Sequence, residues 1–254
     1  MKTLAFISGL KGGTGKTTLA VNTAVVLAYA LRGKAKYPVV LIDTTPGIGT
    51  AAMLLAGSYG LQNMASLSEY FEGRISNPLQ ALYLRRWQVQ QGEFNVVFSF
   101  MNKPVAVSRR LLEALIRQIG DMLGPLVAIL DSPPAGYDWG AAGLLDFTVP
   151  VVTPDMSSII STAGVAKIVG GRVLRPIINM YIKDHDVAGV YGRNWPDMVR
   201  DMFGEEPHIV PADPLFEASR QALEIESLKL RPEESQGLAA LLSYIRYLAS
   251  QLSI

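Results

Sequence analysis

Ten residues, Gly9-Leu10-Lys11-Gly12-Gly13-Thr14-Gly15-Lys16-Thr17-Thr18, separate an apolar run at Thr3–Ser8 from a helical pattern that begins at Leu19. Four of the ten are glycine, and the lysines at positions 11 and 16 have no packing rationale in such a turn. Strand, glycine loop and helix in that order are what phosphate binding requires. Glycines let successive N–H groups curl round an anion, and the first helical turn adds its unsatisfied donors and its dipole. Lys16 can then bring a positive charge to terminal phosphates, and the Thr17 hydroxyl can ligate Mg2+. The general pattern G-x-x-x-x-G-K-[ST] asks for glycine where this chain has Leu10, so the literal match fails there.

Further runs rich in aliphatic and β-branched residues follow at Val39–Ile42, Val96–Phe100, Leu126–Leu130, Thr148–Val152, Ile177–Tyr181 and His208–Val210. Most are continuous rather than alternating, as strands covered on both faces should be. Helical patterns lie between them, at Thr17–Arg32, Ser108–Met122 and Trp195–Phe203 among others. This alternation predicts an α/β fold, a mostly parallel twisted sheet with helices on both faces. With 49% apolar and 18% charged residues the chain can bury a large core. No repeat and no long linker divides it, so residues 1–254 read as a single domain, with Gly57–Pro78 a loop-and-helix insertion. No run approaches the roughly 18 apolar residues of a membrane span. The N-terminal apolar run is too short for a signal peptide, which predicts a cytoplasmic protein.

The stretch Lys11–Thr18 reproduces K-G-G-x-G-K-T-T, and on it the chain resembles the ParA/MinD family of ATPases with their deviant phosphate loop. Two segments extend the likeness. Val39–Gly47, with Asp43, Thr44, Thr45 and Pro46, is similar to the second strand and switch I of that family. Val127–Ala135, with Asp131, Ser132, Pro133 and Pro134, is similar to its Walker B strand and switch II. The later segments at Asn179 and Pro211 resemble the family's base-binding loops. The resemblance covers most of the chain, least so Gly57–Lys103, and lies nearest the partition ATPases. It implies a P-loop NTPase three-layer sandwich that binds ATP and Mg2+ and forms a homodimer bridged by ATP.

In residue terms, the resemblance gives the phosphates to Gly12, Gly13, Thr14, Gly15, Lys16, Thr17 and Thr18, and the base to Asn179 and Pro211. Lys11 would reach the partner subunit's nucleotide. Thr17, Asp43 and Asp131 would hold Mg2+ or its waters, and carboxylates at the C-terminal ends of parallel strands face the ligand crevice of such sheets. A lone aspartate there is usually a turn former or cap, but two of them downstream of a phosphate loop are a site. Lys11, Lys16, Asp43 and Thr45 would form the catalytic set.

One departure bears on catalysis. The family's second switch I aspartate, which positions the attacking water, is Thr45 here. A hydroxyl can still orient water, and phosphoryl transfer depends chiefly on positioning, so slow ATP hydrolysis is expected rather than none. Zero cysteines exclude iron–sulfur relatives, disulfides and thiolate metal sites. The guanine-reading Asn/Thr-Lys-x-Asp motif is missing, its nearest candidate being Asn102-Lys103-Pro104-Val105, which favours ATP over GTP. The last segment has apolar residues at helical spacing but only Arg246 as a cation in its body, so it reads as a packing helix and not as a membrane anchor of MinD type.

With 23 basic and 22 acidic residues there is no global field to draw in nucleic acid. The local excess lies at Gly73–Gln118, where Arg74, Arg85, Arg86, Lys103, Arg109, Arg110 and Arg117 face only Glu93 and Glu113. A weaker set is Arg172, Arg175, Arg193, Arg200 and Arg220. Such patches are what non-specific DNA binding needs, and solvated helix faces are the plainer reading. Two functions therefore compete. One is a DNA-segregating or positioning switch with a ParB-like or other protein partner and nucleoid association. The other is an ATP-gated scaffold that recruits a protein without binding DNA. His185 and His208 lack metal-ligand spacing, Ser132 has no histidine partner, and Trp87, Trp139 and Trp195 read as packing residues.

Overall fold

The computed structural model describes residues 1–10, 12–57, 61–90, 92–134, 141–185 and 192–254, so Lys11 and Trp139 lie outside the described residues. Nine strands among these form one sheet: β1 (Lys2–Ile7), β2 (Val39–Asp43), β3 (Tyr83–Val89), β4 (Gly92–Ser99), β5 (Val127–Asp131), β6 (Phe147–Val152), β7 (Arg172–Val173), β8 (Ile177–Tyr181) and β9 (His208–Pro211). Their order is β3-β4-β2-β5-β1-β6-β8-β9, with β7 also beside β6. Every pairing is parallel except β3 with β4. The helices are α1 (Lys16–Ala30), α2 (Thr50–Ala56), α3 (Leu67–Phe71), α4 (Arg109–Leu123), α5 (Met156–Val169), α6 (Trp195–Phe203), α7 (Pro214–Gln221), α8 (Glu226–Lys229) and α9 (Gln236–Leu252).

The central strands are apolar without alternation because both faces are covered; β2 and β5 are buried at every residue. Successive side chains divide between two cores. Leu4 and Phe6 pack with Leu41, Ile129 and helices α1 and α9 on one face, whereas Ala5 and Ile7 pack with Val40, Leu130 and α4 on the other. Helix α1 is deeply enclosed. It is buried from Leu19 to Val25 because it lies between the sheet and α9, which explains why its sequence is apolar on every side. Helix α9 spends its apolar stripe, Leu238, Leu241, Tyr244, Ile245, Leu248 and Leu252, on β9 and α1, and Tyr244 donates to the carbonyl of Arg175 at 2.5 Å. The packing reading of the last helix therefore stands. No helix among the described residues is long and apolar enough to cross a membrane.

All seven expected strands are present, and two were not foreseen. β7 is a two-residue pairing, and β3 is an antiparallel edge strand whose exposed Arg85 and Arg86 hide its strand character, an edge being where charge belongs. Trp87 on β3 stacks on Phe94 with centroids 5.2 Å apart, as a packing residue should. Within Gly57–Pro78, helix α3 is short but capped. The Ser66 hydroxyl accepts from the Ser68 N–H, the Glu69 carboxylate accepts from the Ser66 N–H at 2.8 Å, and its other oxygen accepts from Asn102 at 3.0 Å.

Burial pushes the Glu69 carboxyl up, but the bonds from Ser66 and Asn102 outweigh burial and hold it at about 2. Its contribution to stability is complete above the unfolded value of 4.5 and disappears as pH falls through about 2. Glu69→Ala is expected to cost about 1 kcal/mol in urea unfolding at pH 7, the usual scale for a lost cap. The gap between variant and wild type should narrow as pH falls below 4.5.

Candidate functional site

The loop after β1 is shaped by close approaches that only glycine permits. A Cβ at residue 9 would lie 2.0 Å from the Ser161 hydroxyl of α5, and the Gly9 N–H donates to Thr162 at 2.9 Å. Gly15 caps α1 in the left-handed region at φ 87, and a Cβ there would lie 2.1 Å from Nδ2 of Asn179. That amide donates to the Thr14 carbonyl at 2.9 Å, so the end of β8 braces the loop.

Lys16, the first residue of α1, is buried, and its Nζ donates to Ser8 Oγ at 2.7 Å. Burial lowers its pKa, and the nearby Asp131 carboxylate opposes that shift. Asp43 and Asp131 end β2 and β5 directly opposite one another, with 1% and 0% of their surfaces exposed. Oδ1 of Asp43 accepts from the Thr45 N–H at 2.8 Å. No hydrogen bond of ordinary distance and angle reaches its Oδ2 or either oxygen of Asp131, although the Thr17 hydroxyl and the Ser132 N–H lie near enough to Asp131 to favour its charged form. Burial, then repulsion from Asp131, raises Asp43 to about 8, while burial raises Asp131 to about 6 against the pull of the Thr17 hydroxyl and Lys16. Orphaned buried carboxylate oxygens beside a threonine hydroxyl are the donor set of a hard divalent cation that takes its other ligands from phosphate and water, so the residues fit Mg2+. No cluster of three or more His, Asp or Glu side chains among the described residues forms a self-sufficient metal cage.

Residues Gly12–Thr18 line a cavity of about 530 Å³, whose other walls include Thr45, Thr50, Ser132 and Pro134. An adjoining cavity of about 570 Å³ is lined by Asn179, Pro211, Ala212 and Phe216. Gly15, Thr18, Met180, Glu217 and Arg220 line both. The structure thus brings the expected residues Gly12–Thr18, Thr45, Asn179 and Pro211 around two adjoining cavities at the C-terminal edge of the sheet, the usual place for a ligand in such folds, whereas Asp43 and Asp131 lie buried and line neither cavity. The Thr44 hydroxyl is directed instead to the Asp131 carbonyl at 3.1 Å.

Thr50, Met180 and Glu217 were not foreseen, and Arg220 was singled out only as part of the weaker basic set. Met180 points inward because β8 bulges there: the register with β9 shifts between Asn179 and Tyr181, and Met180 has φ 59. No local signal announces such a bulge.

The basic residues divide. In the weaker set, Arg193, Arg200 and Arg220 are engaged by Asp201, by Asp197 and Glu206, and by Glu217. In the stronger set, Arg74 and Lys103 share Glu72, Arg86 meets Glu93 and Arg117 meets Glu113. His208 is tied to the Ala240 carbonyl at 2.7 Å, a structural role.

No protein-family model matches the chain. It is 31% identical over 165 residues to the virulence plasmid ParA family protein pGP5-D of Chlamydia psittaci, a match covering 63% of this chain. The chain spans about 60% of the length of that relative. Its fold is similar to a chain of the MinC:MinD cell division protein complex of Aquifex aeolicus, with TM-score 0.74, 20% identity, and coverage of 98% of this chain and 96% of that one. It is also similar to the septum site-determining protein MinD of Pyrococcus horikoshii, complexed with Mg-ADP, with TM-score 0.73, 20% identity, and coverage of 97% and 95%.

The two raised carboxyls set a pH dependence. In metal-free protein the folded state keeps protons that the unfolded chain releases near 3.8, so stability is greatest below that value and falls as pH rises through about 6 and about 8. Asp43→Asn is therefore expected to gain stability relative to wild type as pH rises from 5 to 8.5. Urea unfolding of both proteins in chelator across that range measures the difference.

Proposed function

We propose that the chain is an ATPase of the ParA/MinD type, as its likeness to a plasmid ParA family protein and to MinD folds supports, that it binds ATP with Mg2+, pairs with a second copy around the nucleotide, and uses that dimer as a slow switch in partitioning or positioning cargo. The observation that carries the reading is Asp131, fully buried next to Lys16 and Thr17 with no hydrogen bond of ordinary geometry to either oxygen. Thr17 and Asp131, with Asp43 behind, would hold Mg2+, which when bound neutralises phosphate charge. The N–H groups of the loop cradle the phosphates and Lys16 leaves Ser8 for them. Lys11 reaches the other subunit's nucleotide, and Asn179 and Pro211 hold the base. Residues 1–254 act as one ATPase unit in the cytoplasm.

DNA is the cargo suggested by the plasmid ParA relative, with a ParB-like protein as the partner that stimulates turnover. Arg85, Arg109 and Arg110, which have no acidic partner among the described residues, supply the contacts in this reading. Pairing two subunits doubles them. Two observations favour the alternative of an ATP-gated protein scaffold. The weaker basic set is largely neutralised by its own acids, and switch I offers Thr45 where a carboxylate would poise water.

Light-scattering mass with ATP·Mg2+, ADP or no nucleotide tests the switch. A dimer with ATP alone is expected, one that loads onto a non-specific duplex and leaves it at high salt. Failure to dimerise with ATP removes the switch, and an ATP dimer indifferent to DNA selects the scaffold. For turnover, Thr45→Asp is expected to raise steady-state ATPase by up to about a hundredfold, the lower end of the range for a positioned proton acceptor. An unchanged rate would mean that Thr45 is not what limits hydrolysis.

A further inference from the structure

A nucleotide whose phosphates lie on the loop and whose base lies by Asn179 and Pro211 must pass the residues common to the two cavities. Its α-phosphate and ribose then face Gly15, Thr18, Met180, Glu217 and Arg220. Of these five, Arg220 alone carries a positive charge. Its guanidinium is not free-swinging. Glu217, one turn earlier on α7, takes it in a two-pronged grip, with Nε donating to Oε2 at 2.8 Å and a second, shorter contact between the terminal nitrogen and Oε1. Gln221 adds a bond to the same carboxylate at 2.9 Å.

We infer that Arg220 is a nucleotide-binding residue that donates to the α-phosphate, and that Glu217 is a positioning residue that parks the guanidinium at the junction until a phosphate takes it over. This rests on the ATP-binding reading above. The planar fork that fits a carboxylate fits a phosphate equally well, which a lysine ammonium does not. The hydrogen bonds from Arg220, then Gln221, hold the Glu217 carboxyl at about 2, so it remains an anion at any working pH and competes with the phosphate for the same donors. Both side chains are more than two-fifths exposed, so their ion pair is weak in water and readily exchanged. Sequence alone could not reveal this role, because a Glu and an Arg three residues apart on a short helix read as a surface pair.

A surface pair and a phosphate-handling pair differ in sign. If the pair merely stiffens α7, removing either partner harms nucleotide binding in the same direction. If Glu217 competes for Arg220, the two removals oppose one another. Calorimetric titration of the full chain with ATP·Mg2+ and ADP·Mg2+ decides between them. Arg220→Ala is expected to weaken both nucleotides about tenfold and by equal factors, since both carry the α-phosphate. Arg220→Lys should fall between it and wild type, and also serves if the alanine variant melts without nucleotide below the assay temperature. Glu217→Gln, which keeps the shape but removes the competing charge, should tighten both several-fold. If wild type binds and the two classes of variant shift together, or not at all, the Arg220 assignment fails while the ATP reading stands. If wild type binds neither nucleotide, both fail.

Discussion

Two carboxylates on adjacent strands, in register and excluded from water, repel each other and lack enough partners. Asp43 has one oxygen satisfied by the Thr45 N–H and Asp131 has none. Burial of carboxyls so short of partners, which raises both pKa values, is tolerated where a cation is meant to answer them. Lys16 is drawn into the same dry region, and the loop closes over it. The strand ends, the lysine and the loop are therefore one electrostatic arrangement. The sheet supplies its rigidity, because β1, β2 and β5 hold their side chains with both faces packed.

That arrangement was legible from sequence where a residue's environment is symmetrical. Strands β1, β2, β5 and β6 are covered on both faces, so they are written as uninterrupted apolar runs, and the aspartates that end two of them stand out. The glycine loop is legible for a similar reason: a lysine on either side of three glycines has no use in a core. The structure adds the packing reason for two of those glycines, since Gly9 and Gly15 give way to Ser161 and Asn179, residues distant in sequence.

What was hidden depends on asymmetry or on the far end of the chain. β3 carries Arg85 and Arg86 because one of its edges faces water, and a strand with that pattern looks like loop. Met180 reaches the two cavities through a bulge, which no periodicity encodes. Glu217 and Arg220 look like any ion pair on a solvated helix until the β9–α7 connection delivers them beside Gly15 and Thr18. Their meaning lies in topology, not in local pattern.

The bond from Asn179 to the Thr14 carbonyl joins residues 165 apart. β1 itself is central, flanked by β5 and β6, so its own pairing waits for residues beyond Val127. During synthesis the N-terminal segment that will form the anion cradle therefore emerges long before anything exists to hold it in shape. Contacts of such long range carry a large loop-closure cost and form late. The cradle is thus a product of completed folding rather than a seed for it, and a chain arrested before Asn179 would expose the loop without its wall.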